Sequence, residues 1–348
     1  MFRINRVCVP LTFDCNLHCR YCYRDRERLE TVPDFTSEMV KFLKGLRPIT
    51  TEAVVASGGE PLFHWDKVKE LFSYVPKDVH KKIMSNCTLL TQEMVDYIND
   101  NDIELLASHD GPKTRFLRGV DILEDEKTAS LVRQVKTLTV SCVVTKYNTD
   151  VWENYFDVVK KLKRVDFQYF ANAMNDVVPE QHYLVEGFDY GQWFTTYRQF
   201  CVSPFSRMYP WYEGMTLRRK RNGRKDDDSR TRSRYTGFNI LPDGTVCGMI
   251  HVNDNYGSVD VNKYQECDEK GMASGLADYC VKSGCKYTDR CHYCLQHTSD
   301  HTCTCRRMMM DRWGSSEAEA RLYVKEHLGD IVGKYFPEFA ESGYLGGK

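Results

Sequence analysis

The sequence has 348 residues, a formal net charge of -1 and 28% charged residues. This length allows two domains, or one large α/β domain with an appendage, and the balanced charge gives no general attraction to nucleic acid or membranes. No run approaches the ~18 apolar residues of a membrane helix, and the N-terminal MFRINRVCVPL lacks the apolar core of a secretory signal. We therefore expect a soluble, cytoplasmic protein without a membrane partner.

Short β-rich runs alternate with amphipathic helical segments from residue 5 to about 170. Strands are predicted at RVCVPLTF (6–13), EAVVAS (52–57), KKIMS (81–85), IELLAS (103–108), TLTVSCVVT (137–145) and RVDFQYF (164–170). Helices are predicted after Thr36, between 68 and 75, after an N-cap at Thr91, near 127–135 and after a capping box formed by Asp150 and Glu153. Six such repeats predict an α/β fold with a parallel sheet, either doubly wound or curved into a partial barrel.

The pattern changes beyond about residue 200. GFNILPDGTVCGMI predicts a hairpin that turns at Asp243 and Gly244, and a final amphipathic helix is predicted from roughly 316 to 335. Between them lies a Cys-rich segment with almost no apolar periodicity, which needs a metal or packing on its neighbour to hold its structure. The expected domains are therefore 1–200, 201–310 and a C-terminal helical segment, 311–348.

Fifteen cysteines are more than core packing asks for, and reducing thiol pools disfavour structural disulfides in the cytosol. Metal binding or redox chemistry is the better interpretation. One group, Cys15, Cys19 and Cys22, lies in the loop DCNLHCRYCYRDR after the first strand. The three thiolates could hold three irons of a 4Fe-4S cluster and leave the fourth iron open to a ligand. The alternative is a zinc site closed by His18.

A second motif, ASGGEPL (56–62), follows the second predicted strand. Gly58, Gly59 and Glu60 would then lie at the carboxyl edge of the sheet, where parallel α/β folds bind ligands. Paired glycines let the backbone approach a ligand closely, and the carboxylate offers an acceptor for an ammonium group.

Together these residues resemble the radical S-adenosylmethionine (SAM) enzymes. CxxxCxxC with an aromatic before the last cysteine is matched by Cys15, Cys19, Tyr21 and Cys22, and the GGE motif by residues 58–60. The resemblance implies a partial (β/α)6 TIM-like barrel in which the methionine part of SAM chelates the open iron. One electron, from a donor such as flavodoxin or ferredoxin, would cleave the sulfonium to a 5′-deoxyadenosyl radical that abstracts hydrogen from a substrate.

Two further segments carry the likeness. MSNCTLL (84–90) resembles the family's third-strand segment, with Cys87 where glycine is common, and ASHDGPKTRFLRG resembles the SxDGP strand end of enzymes related to anaerobic sulfatase maturases. In those relatives a later arginine helps to hold the SAM carboxylate, and Arg118 is the best match. The implied cofactor-binding residues are Tyr21, Gly58, Gly59, Glu60, Ser85, Asn86, Ser108 and Arg118.

The C-terminal cysteines resemble the SPASM or twitch extension, which holds auxiliary iron-sulfur clusters. The implied ligands for one or two such clusters are Cys247, Cys285, Cys291, Cys294, Cys303 and Cys305. The alternative is a zinc-ribbon-like site that uses some of these cysteines with His292, His297 or His301.

By resemblance, the expected substrate is a peptide or protein side chain. The alternatives are modification of a nucleotide or nucleic acid, with the insertion 217–234 as a docking surface, and a zinc-stabilised binding protein without enzyme activity. The insertion has nine basic and three acidic residues but no interleaved aromatics, so a solvated loop is the simpler interpretation. No residue is nominated as a catalytic base.

Overall fold

The computed structural model describes residues 4–22, 33–47, 51–174, 179–206, 237–247, 255–258 and 317–338. The predicted insertion 217–234 and the Cys-rich segment with its auxiliary-cluster ligands beyond Cys247 lie outside these residues. The chain forms two compact units: Met1–His18, Cys22–Leu106 and Arg224–His297 make the first, and Cys19–Tyr21, Ala107–Gly223 and Thr298–Lys348 the second.

The first unit contains the first β/α repeats. Its elements are β1 (Ile4–Thr12), α1 (Ser37–Gly45), β2 (Thr51–Gly58), α2 (Trp65–Tyr74), β3 (His80–Ser85), α3 (Gln92–Asp100), β7 (Gly237–Ile240), β8 (Thr245–Cys247) and β9 (Asn255–Ser258). β4 (Ile103–Ser108) begins in this unit. The strands are ordered β4-β3-β2-β1-β7-β8-β9, and β1 pairs in parallel with both β2 and β7.

Local sequence explains these elements well. The apolar run of β1 buries Val7, Val9 and Leu11, as expected of a strand covered on both faces. The predicted helical face at Val68, Leu71, Phe72 and Val75 is buried. Caps are formed as the side chains predict: the Thr36 hydroxyl accepts from Met39 N, and the Thr91 hydroxyl accepts from Met94 N.

The predicted hairpin is confirmed, but its strand β7 continues the sheet of the first unit. β7 and β8 pair antiparallel around Gly244, which has a φ of 88° that favours glycine. β7 also pairs in parallel with β1, with Val7 opposite Phe238. A hairpin that the sequence assigns to the 201–310 domain thus extends the sheet begun at residue 4, while the predicted domain boundaries themselves stay predictions.

The second unit continues the alternation. Its elements are α4 (Thr114–Arg118), α5 (Glu126–Gln134), β5 (Leu138–Val144), α6 (Val151–Leu162), β6 (Gln168–Ala173), α7 (Tyr190–Cys201) and α8 (Glu317–Tyr335). β5 and β6 are parallel neighbours, with Val140 opposite Tyr169. Asp150 caps α6 by accepting from Trp152 N and Glu153 N. The predicted α/β class with parallel strands is therefore confirmed.

An aromatic core holds α6 in place. The Tyr155 ring lies 4.9 Å from Phe200 and 5.5 Å from Phe167, between ring centroids, so one helix side chain joins α7 to the segment before β6. Close contacts between aromatic rings stabilise a core beyond simple burial of their area. Among the described helices, none is long and apolar enough to cross a membrane.

Candidate functional site

The GGE turn lies against the beginning of the cysteine loop. Gly59 N donates to Thr12 O and Glu60 N to Asp14 O, both at 2.7 Å. A Cβ at Gly58 would lie 2.1 Å from Thr12 O, and one at Gly59 would lie 2.2 Å from Asp14 O. Backbone oxygens cannot yield that much space, so glycine is required for the two segments to meet.

Glu60 is fully buried directly after this turn. Its Oε1 accepts from Ser85 Oγ at 2.7 Å and Leu62 N at 3.2 Å, and its Oε2 accepts from Asn86 N at 2.7 Å. Burial raises the pKa of Glu60, and these hydrogen bonds oppose that rise. A carboxylate has about four acceptor positions, so the bonds from described residues leave one for a ligand. The predicted ammonium contact stays a prediction, but the carboxylate also joins the ends of β2 and β3.

The turn after β3 explains the glycine preference noted at position 87. Cys87 is buried and has a φ of 61°, in the left-handed region that costs most residues roughly 1–2 kcal/mol. Side chains support this turn: Cys87 N donates to Ser85 Oγ at 2.8 Å, and Thr88 N donates to Asn86 Oδ1 at 2.9 Å. Ser85 and Asn86 are thus fixed beside Glu60.

Two cysteines of the predicted cluster loop belong to the first unit, and both are partly exposed. Leu17 N lies 3.4 Å from Cys15 Sγ and Asn86 Nδ2 lies 3.7 Å from it, both as donors. Burial raises the pKa of the Cys15 thiol, and the charges of Glu60 and Cys22 add to the rise. A bound metal ion removes thiol protons outright, so this direction applies to the metal-free chain.

Cys19 and Tyr21 belong to the second unit, where Tyr21 is fixed by Asp110. The fully buried Asp110 accepts from Tyr21 Oη at 2.6 Å and Arg118 Nε at 2.7 Å on Oδ2, and from Arg118 Nη2 at 3.1 Å and Val143 N at 2.8 Å on Oδ1. All four acceptor positions are filled. Tyr21 also packs on the apolar cluster that includes Leu117.

Arg118, the predicted SAM-carboxylate ligand, is buried rather than solvated. Burial would lower the pKa of Arg118, but the charge of Asp110 outweighs it and raises that pKa. The Arg118 guanidinium group pairs with the Asp110 carboxylate, and its Cζ atom lies 5.4 Å from the centre of the Tyr21 ring. Within the described residues, three of its five N–H donors remain for another ligand. Arg115, by contrast, is exposed and pairs with Glu124.

Ser108 is partly buried at the end of β4, and the next residue, His109, begins a buried polar network. Gly111 N donates to His109 Nδ1 at 3.2 Å, so Nε2 carries the hydrogen that bonds Asp121 Oδ1 at 2.9 Å. Lys161 Nζ lies 2.7 Å from both Asp121 and Asp157. The three potential metal ligands here lie within 4.8 Å of one another, but the Lys161 ammonium already supplies their cation.

Asp121 is expected to make stability depend on pH. Burial opposes its ionisation, but hydrogen bonds from His109 and Lys161 hold the pKa of Asp121 below its usual range. Because the folded-state pKa is depressed, the stabilisation is present above the unfolded value, near ~3.9, and is lost as pH falls toward the folded value.

Asp121→Asn should therefore destabilise the protein at pH 7 by about 1–3 kcal/mol, the cost of leaving buried donors without a charged acceptor. Melting of wild type and variant between pH 7 and pH 3 would test this, with the exposed Asp100→Asn as control. The difference in melting temperature between wild type and Asp121→Asn should become smaller below about pH 4. A difference in melting temperature that is constant with pH would show that the ionisation of Asp121 does not contribute to stability.

The auxiliary-cluster ligands remain predictions. Cys247 ends β8, but its side chain lies outside the described residues, as do Cys285, Cys291, Cys294, Cys303 and Cys305. The bonds of Asp110 to Tyr21 and of Asn86 to Cys15 were not predicted from the sequence. Both residues stand in quoted motifs, but their partners are 89 and 71 positions away, so spacing carries no signal for the contacts.

Residues 9–178 match the profile of the Radical SAM superfamily. A cysteine-type anaerobic sulfatase-maturating enzyme of Clostridium perfringens is 24% identical over 225 residues, which cover 56% of this chain and 60% of that enzyme. An AdoMet-dependent heme synthase of Methanosarcina barkeri is 27% identical over 177 residues, covering 46% and 48%. The chain thus spans about half to three fifths of these relatives' lengths.

Solved structures share the fold. Native anSMEcpe with bound AdoMet and a peptide has a TM-score of 0.64 and 18% identity, covering 91% of this chain and 99% of that chain. Streptococcus suis SuiB bound to S-adenosylmethionine has a TM-score of 0.56 and 16% identity, covering 84% and 72%. At such low identity these likenesses establish the fold alone.

Proposed function

We propose that the chain, whose residues 9–178 match the Radical SAM superfamily, is a radical SAM enzyme that cleaves S-adenosylmethionine reductively and uses the radical to abstract hydrogen from a peptide or protein side chain. The observation that carries the proposal is the backbone pairing of the GGE turn with the entry to the cysteine loop. These two hydrogen bonds of 2.7 Å hold the turn against Thr12 and Asp14, just before Cys15, the first of the proposed metal ligands.

The residues present fit both groups. Cys15, Cys19 and Cys22 offer three soft thiolate ligands and no fourth in the motif, which suits a 4Fe-4S cluster with one open iron. The Ser57 hydroxyl, next to Gly58, is buried without a partner among the described residues, as expected of a group that a ligand or water satisfies. When bound, the cluster and SAM would supply an electron and a 5′-deoxyadenosyl radical.

The chain's own contribution is positioning. Gly58 and Gly59 bring backbone against backbone, so that peptide groups can approach the amino-acid part of SAM. Glu60 keeps one acceptor position for its ammonium group, and its other bonds prevent the carboxylate from turning away. Within the second unit, Asp110 holds the hydroxyl of Tyr21, the aromatic residue of the motif.

The peptide class of substrate is supported by the relatives that share the fold. Solved structures hold anSMEcpe with a bound peptide and SuiB with its precursor peptide SuiA. We propose a peptide or protein substrate here by analogy. A flavodoxin or ferredoxin as electron donor, and one or two auxiliary iron-sulfur clusters, are parts of the same proposal.

Anaerobic reconstitution with iron and sulfide, followed by SAM and a reductant, tests the proposal. The wild-type chain should yield 5′-deoxyadenosine, and the triple variant Cys15→Ala, Cys19→Ala, Cys22→Ala should yield none. Cys8→Ala, at a buried cysteine of β1 outside the motif, is the matched control and should retain activity. Stoichiometric zinc without SAM cleavage would overturn the proposal and favour a zinc-stabilised binding protein.

A further inference from the structure

The Asn86 side chain is fixed on Cys15 by a complete set of hydrogen bonds. Its Nδ2 donates to Cys15 Sγ at 3.7 Å and to Asn16 Oδ1 at 3.0 Å. Its Oδ1 accepts from Thr88 N at 2.9 Å and from Thr88 Oγ1 at 2.6 Å. The amide is 8% exposed, and all four of its hydrogen-bonding positions are used.

The network also decides which way the amide faces. Thr88 N is a backbone donor, so the atom of Asn86 that faces it must be the oxygen. The nitrogen therefore faces Cys15, and a flipped amide would set oxygen against sulfur. The backbone N of Asn86 donates to Glu60 Oε2, so the residue that carries the amide is also bonded to the GGE motif. Little rotation is left to this side chain.

Because both Nδ2 hydrogens are already committed, Asn86 has no donor left for SAM. Its resemblance-based assignment as a cofactor contact therefore gives way to a different role. We propose that Asn86 is a positioning residue that raises the reduction potential of the cluster by donating an N–H to the sulfur of Cys15. This inference rests on the proposed function, because it requires a cluster bound through Cys15.

The physical basis is electrostatic. A reduced cluster carries more negative charge on its sulfurs, so an N–H that points at a ligand sulfur stabilises the reduced form more than the oxidised form. Leu17 N makes a second donor to the same sulfur, but it is a backbone group whose place follows from the loop itself. Asn86 is the side-chain donor, and it can be changed alone.

Asn86→Asp provides the sharpest test, because aspartate has nearly the same shape but replaces the donor with a negatively charged acceptor. We expect the midpoint potential of the Cys15–Cys22 cluster to fall by at least ~59 mV, a tenfold change in the one-electron equilibrium constant. Asn86→Ala, which only removes the donor, should shift the potential in the same direction by less. EPR-monitored titration of the reconstituted protein measures both.

Two controls separate tuning from damage. Thr88→Val removes the hydroxyl bonded to Asn86 Oδ1, but the backbone N of residue 88 still bonds that oxygen and keeps Nδ2 facing Cys15, so the potential should stay near the wild-type value. The triple cysteine variant identifies any EPR signal that belongs to an auxiliary cluster. Iron content shows whether each variant has bound the cluster. If Asn86→Asp fails to bind it, the midpoint potential of Asn86→Ala tests the proposal.

Loaded Asn86 variants with wild-type potentials would overturn the inference and leave the proposed function standing. A wild-type protein without any redox-active cluster that depends on Cys15 would instead overturn the proposed function itself, and the inference with it. A downward shift in both Asn86 variants, with Thr88→Val unmoved, is the result that supports tuning.

Discussion

Alanine at Gly59 is expected to abolish most SAM cleavage, although the change adds one methyl group. The new Cβ would lie 2.2 Å from Asp14 O and 2.7 Å from Phe13 O, both backbone atoms. The turn or the cysteine loop must therefore move by roughly an ångström. Misplacement of that size costs about 100-fold in rate when it affects groups that position a reaction, so 5′-deoxyadenosine formation should fall at least that far.

The matched control is Gly329→Ala in α8, where an added Cβ meets nothing within 4 Å. Alanine there should stabilise the helix by about 0.5–1 kcal/mol and leave SAM cleavage unchanged. Wild-type activity in Gly59→Ala, at wild-type iron content, would show that the GGE turn and the cysteine loop do not need their close backbone contact.

Most of the fold could be predicted because its causes are local. The periodicity of α2, the Thr91 cap and the Asp150 cap depend on residues within a few positions of one another, and all three are confirmed. The helix α7 was missed, although Asp189 as a cap and the apolar Trp193, Tyr197 and Phe200 carry the usual signal for a helix.

What could not be predicted depends on contacts between distant parts of the chain. The parallel pairing of β7 with β1 joins residues more than 200 positions apart. Neither turn residues nor apolar periodicity in the sequence indicate this pairing. The same limit applies within the site. Tyr21 bonds Asp110 across 89 positions, and Asn86 bonds Cys15 across 71, so no local pattern indicates either contact.

Removing the Asp110 carboxylate alone is expected to destabilise the protein more than removing it together with its partner. Asp110→Ala leaves the buried Arg118 guanidinium without its counter-charge, and breaking one side of a buried ion pair costs about 3–5 kcal/mol. Asp110→Ala combined with Arg118→Met replaces the pair by apolar groups and should recover part of that loss.

The same cycle separates two roles of Arg118, holding Asp110 and binding the SAM carboxylate. Melting temperatures of wild type, Asp110→Ala, Arg118→Met and the double variant measure the coupling, and SAM affinity is measured on each. If Arg118 also binds SAM, both variants without it should bind SAM more weakly, whether or not Asp110 is present. If Arg118 affects SAM only by holding Asp110, the losses of SAM affinity in the two single variants should not add up in the double variant. Additive losses in stability would mean that the two charges do not act as a pair in solution.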